Sequence, residues 1–103
     1  MKQVIYYTTI DGKCPYKDWY KKLDKSVRQQ VDRRIDRLEE GNYGDYKKIS
    51  NDLFELRFKI GSGYRIYFTE AQDVIILILC AGDKSSQSKD IAKAKTIINE
   101  IKE

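Results

Sequence analysis

At 103 residues the chain has room for one hydrophobic core and none for separate cofactor and substrate domains. Its 41% hydrophobic and 35% charged residues describe an ordered globular domain, here a single domain over 1–103, and exclude intrinsic disorder. A formal charge of +4 is modest for a nucleic-acid binder, so placement of the basic residues matters more than their sum; the absence of histidine removes His-based triads, two-histidine nuclease chemistry and most zinc sites.

Met1 to Tyr7 carries no basic stretch leading into a long apolar run, so neither a secretory signal nor a membrane span is expected, and a cytoplasmic protein is the default. Lys2 to Thr9, rich in β-branched and aromatic residues and closed by Asp11-Gly12, predicts a strand. Cys14 and, far along the chain, Cys80 lack the spacing of a metal site or a disulfide framework and read as free thiols. Pro15 suits the first position of a helix of about three turns carrying Tyr16, Trp19, Tyr20 and Leu23 on one side. Asp24 can cap a second helix, ended by Gly41, whose apolar stripe is Val27, Val31, Ile35 and Leu38. Its Arg28, Arg33, Arg34 and Arg37 are expected mostly in water, as a solvated face or as a contact for phosphate or an acidic partner.

Asn42 to Asp52 reads as a polar linker within the domain. From Leu53 to Ile60 the pattern alternates, with Phe54, Leu56, Phe58 and Ile60 on one face and Glu55, Arg57 and Lys59 on the other. After the turn Gly61-Ser62-Gly63, Tyr64 to Thr69 alternates again and sets Arg65, Tyr67 and Thr69 on one side. Val74 to Cys80 is an unbroken apolar run, as in a strand covered on both faces. A polar loop, Gly82 to Ser88, leads to a last helix with Ile91, Ala94, Ile98 and Ile101 on its stripe. The predicted order is β-α-α-β-β-β-α, an α+β fold.

A three-residue hairpin loop would oppose Lys59 to Arg65 and Arg57 to Tyr67, gathering cations on one solvated sheet face. Like charges at opposed positions repel unless Glu55 or an external anion compensates, and a phosphate would serve. Lys84 lies in the loop after the apolar strand, where functional side chains often sit, although a plain surface lysine would look the same.

The segments Leu53-Phe54-Glu55-Leu56-Arg57, Gly63-Tyr64-Arg65-Ile66-Tyr67-Phe68 and Gly82-Asp83-Lys84 resemble the RelE/ParE toxin superfamily, most closely its HigB-like, phage-derived addiction module killer branch. Leu38-Glu39-Glu40-Gly41-Asn42 with Gly44-Asp45, and Ser86-Gln87 followed by Lys89-Asp90-Ile91 and Ala94, extend the match along nearly the whole chain. The resemblance implies a small, mainly antiparallel sheet packed against two N-terminal helices. It also implies the toxin of a type II toxin–antitoxin pair, an endoribonuclease that cuts mRNA on the ribosome without metal or cofactor. Its cognate antitoxin would be a helix-turn-helix, HigA-like protein.

Catalytic positions carry over to Arg57, Arg65 and Lys84. Tyr67 is a candidate base if the neighbouring arginines lower its ionisation. Lys59, Gln87 and Asp90 complete the substrate-binding side, and Asp90 is a further base candidate where some RelE-type members place a tyrosine. A ParE-like gyrase poison and a non-catalytic RNA- or protein-binding module stay open as alternatives, the eight tyrosines favouring base stacking in the latter.

Overall fold

The computed structural model describes residues 1–102. The elements run β1 (Gln3–Tyr6), α1 (Pro15–Tyr20), α2 (Lys25–Glu39), β2 (Tyr46–Ser50), β3 (Leu53–Arg57), β4 (Arg65–Ala71), β5 (Ile75–Gly82), a 3-10 turn at Lys84–Ser86, and α3 (Gln87–Lys102). Among the described residues they build one five-stranded sheet in the order β1-β5-β4-β3-β2, antiparallel except where β1 runs parallel to β5. The fold is α+β, as the sequence predicts. No helix among the described residues is long and apolar enough to cross a membrane.

Both sheet faces are covered. On one, Tyr16 of α1 and Val31, Ile35 and Leu38 of α2 pack against Leu56, Ile66, Phe68 and Ile78. On the other, Ala94, Ile97 and Ile98 of α3 pack against Leu53, Tyr67, Leu79 and Cys80. β5 is therefore sandwiched, which is why its sequence is a continuous apolar run.

The strand β2 lies where a polar linker was expected. An edge strand bonds to one neighbour only, and charged side chains on it discourage further pairing, so Lys47 and Lys48 fit there without apolar alternation. Tyr46 still contributes, its ring 5.3 Å from Tyr43 and 6.3 Å from Phe54.

The hairpin register also differs from expectation: Arg57 opposes Arg65 and Glu55 opposes Tyr67. β3 ends at Arg57, whose carbonyl accepts from the Arg34 guanidinium of α2 at 2.7 Å, and one further backbone bond, from the Phe58 amide to the Tyr64 carbonyl at 3.0 Å, closes the hairpin. Beyond it the chain turns through Gly61 (φ 53°) and Gly63 (φ 76°), left-handed conformations that glycine adopts without steric cost. The shift is two residues, and since side chains alternate with period two, the residues within β3 and β4 keep their predicted faces while their partners change.

Candidate anion site on the sheet

The side chains of Glu55, Arg57, Arg65 and Tyr67 share the α3-side face, but that face is not open as the sequence suggested. Glu55 and Tyr67 are fully buried. The outer end of that face, where α3 begins and the β3–β4 loop folds over, stays accessible: the Arg57 side chain is 36% exposed and that of Arg65 15%. The apolar stripe of α3 had to find a surface, and the face opposite α1 and α2 was the one left.

Glu55 is the centre of the arrangement. Its Oε1 accepts from Arg57 Nε at 2.9 Å. Its Oε2 accepts from the Tyr67 hydroxyl and from Gln87 Nε2, each at 2.9 Å, and lies 3.6 Å from Arg65 Nε. Burial pushes the carboxyl up, but hydrogen bonds from Arg57, Gln87 and Tyr67 and the charge of Arg65 outweigh it, and Glu55 ionises below its ordinary value. A buried carboxylate is thus held charged at neutral pH as the anchor of two guanidinium groups.

Arg65 is bound less completely. Its Nη1 donates to the Gly63 carbonyl at 3.0 Å, while the buried Nε finds no hydrogen-bond partner. Lys84 lies beside the turn at Gly63, its amide donating to the Ser62 carbonyl at 3.4 Å. The loop bearing Lys84 is tied down by Asp83, which accepts from the Ser85 amide at 2.9 Å and from the Ser62 hydroxyl at 3.3 Å. Lys84 itself points into solvent.

Arg57, Arg65, Tyr67 and Gln87 therefore meet around Glu55, with Lys84 adjoining. The expectation that cations would lower Tyr67 is reversed: burial first, then its bond to Glu55 and that residue's charge, raise its ionisation far above the usual tyrosine range. Its hydroxyl stays protonated and is spent on Glu55. Gln87 faces inward as a donor to Glu55 rather than outward to substrate. Asp90 accepts from the Ser86 hydroxyl at 2.6 Å and lies against Gly82. Lys59 stands on the loop beyond β3, no longer opposite Arg65. Both cysteines are free and buried, and burial pushes the Cys80 thiol up to about 12, so it stays protonated.

Two features escaped the sequence reading. The alternation places Glu55 on a solvated face as a possible counter-charge and gives no sign that it is buried, and the α2 stripe puts Arg28 and Arg34 mostly in water. Arg28 instead donates to the carbonyls of Tyr20 and Lys21, and Arg34 to those of Arg57, Tyr43 and Asp45. The usable signal was α3 itself: an amphipathic helix after the last strand must cover a sheet face, and the face with Glu55 was unclaimed.

The matched region of the chain contains all of this site. Residues 18–102 match the family described as "Phage derived protein Gp49-like". A Haemophilus influenzae protein described as "Uncharacterized protein" is 40% identical over 87 residues, spanning 84% of this chain and 88% of its own length. The chain belongs to the Gp49-like family of phage-derived proteins.

Proposed function

We propose that this protein is the toxin of a type II toxin–antitoxin pair, a RelE/HigB-like endoribonuclease that cuts mRNA on the ribosome and so inhibits translation. The observation that carries the reading is the directly opposed Arg57–Arg65 pair anchored on one buried carboxylate. Glu55 cancels one of the two positive charges and leaves the other, with Lys84 beside it, to receive an anion. Membership in the Gp49-like family and the resemblance of the β3, β4 and Gly82-Asp83-Lys84 segments to RelE/HigB toxins support the same conclusion.

In this mechanism the RNA 2′-hydroxyl, giving up its proton to solvent water, attacks the adjacent phosphorus and the P–O5′ bond breaks, giving a 2′,3′-cyclic phosphate and a 5′-hydroxyl. The transition state carries more charge on the non-bridging oxygens than the ground state does. Guanidinium groups already oriented by Glu55 stabilise it without reorganising. Lys84, exposed and cationic, protonates the leaving oxygen, and the decoding site supplies part of the alignment. Such a toxin works in the cytoplasm. A helix-turn-helix antitoxin neutralises it by bulk, keeping it out of a narrow ribosomal site.

Induced expression followed by mapping of mRNA 5′ ends tests this reading. Cuts inside translated codons with 5′-hydroxyl ends are expected, and Arg65→Ala should abolish both the cuts and growth arrest. Intact mRNA accompanied by a fall in gyrase supercoiling would refute the nuclease reading in favour of a gyrase poison.

A further inference from the structure

A second cationic hollow, of about 160 Å³, lies between α2 and the loop after β3, lined by Arg33, Arg34, Arg37, Phe58, Lys59 and Ile60. Arg34 is committed to structure: half-buried, it holds the Arg57 and Asp45 carbonyls at 2.7 and 3.0 Å and sits 4.6 Å over the Phe58 ring. Arg33, Arg37 and Lys59 are exposed and make no ion pair within 4.0 Å among the described residues. Arg37 is close enough to Arg34 for repulsion to add to the burial that lowers Arg34's ionisation, against the opposing pull of Asp45. Four cations around one small hollow repel one another, and no carboxylate lines it.

The hollow lies near the site already described, on the α2 side of the sheet. Its wall residue Arg34 holds the main chain of Arg57, and Lys59 is two residues further on, at most about 7 Å of extended chain. A strand of RNA gripped at Arg57 and Arg65 reaches this surface by rounding the end of β3. We propose that the Arg33–Arg37–Lys59 hollow binds a backbone phosphate of the RNA, flanking the phosphodiester held by Arg57 and Arg65. This rests on the nuclease reading and adds a subsite that fixes the strand's direction across the protein. A hollow sized for one compact anion, near a second anion site, matches a polymer with regularly spaced phosphates better than the uneven carboxylates of an acidic protein.

The test is fluorescence anisotropy with a mixed-sequence 2′-O-methyl RNA dodecamer, which the full-length protein can bind but not cut, titrated between 50 and 200 mM salt. Each phosphate neutralised on single-stranded nucleic acid adds about 0.7 to the slope of log affinity against log salt, so losing this one phosphate in the double variant Arg33→Gln/Arg37→Gln should lower it by about 0.7. Across that fourfold salt range the wild type then loses roughly 2.6-fold more affinity than the variant. Lys59→Gln should lower the slope by a smaller amount, since the two arginines remain. Both arginines are exposed, and an unchanged circular dichroism spectrum verifies the fold. An unchanged slope in the variants, or no RNA binding by the wild type, overturns the proposal; so does loss of polyglutamate binding with RNA binding intact, which would assign the hollow to an acidic protein. If mRNA is cut in cells while the slopes coincide, the subsite fails alone. If mRNA stays intact while the slopes differ, the nuclease reading fails and the phosphate site stands.

Discussion

Replacing Glu55 by glutamine keeps the shape of the buried side chain and removes its charge, which isolates the anchor from the packing. The carboxylate accepts from Arg57 on one oxygen and from Tyr67 and Gln87 on the other. An amide has one oxygen, so whichever way it turns its NH2 group faces a donor. Losing a hydrogen bond to a charged group costs about 1.5–3 kcal/mol, and breaking a buried ion pair about 3–5 kcal/mol. Because the Arg57 side chain is 36% exposed and that of Arg65 15%, water recovers part of this, and we expect about 3 kcal/mol. In a domain of this size that lowers Tm by roughly 12–24 °C, within a total stability of about 5–15 kcal/mol.

The pH dependence gives the argument its sign. Glu55 ionises lower in the folded protein than the ordinary 4.5. Its contribution is therefore complete above 4.5 and is lost as pH falls through the lower folded value. Thermal melts followed by circular dichroism should show wild type and Glu55→Gln well separated at pH 7 and converging as pH falls below 4.5 and the Glu55 carboxylate takes up its proton. Melting temperatures within two or three degrees at pH 7, or a gap that does not narrow as pH falls below 4.5, would refute the anchoring role.

Tyr67→Phe should stay folded at a cost of about 1.5–3 kcal/mol for the lost bond to Glu55, and should still cleave mRNA; a folded variant that no longer cleaves would make the hydroxyl a proton-transfer group after all. At Gly82, an added Cβ would lie 1.9 Å from Asp90 Oδ2 and 2.6 Å from Ser86 Oγ. Gly82→Ala should cost about 1–3 kcal/mol in denaturant titration, and Asp90→Ala in the same chain should recover part of it; strictly additive losses would show the two do not press on each other. Ile66→Asp places an unpaired carboxylate among the α1 and α2 contacts and should leave the chain unfolded by circular dichroism, whereas a cooperative native melt would contradict the burial of that face.

Much of this molecule was legible in its sequence because it depends on local periodicity. The two-residue alternation of β3 and β4 set which side chains share a face, and a register slip of two left that sharing intact. The same alternation put Arg57 and Arg65 together with Tyr67. The stripe of α2 and the apolar run of β5 named most of one core layer for the same reason. Tertiary structure decided the rest. Arg34 of α2 took the Arg57 carbonyl at the end of β3, a contact between residues far apart in sequence. The pairing of β2 against β3 made a strand from residues with no apolar pattern, since backbone hydrogen bonds on a sheet edge need a neighbour and not a buried side chain. Above all, docking of α3 turned a polar face that looked solvated into a buried one. Burial first, and then the bond to Glu55, raised Tyr67 instead of lowering it, and a glutamate expected on a solvated face became the buried anchor of two arginines.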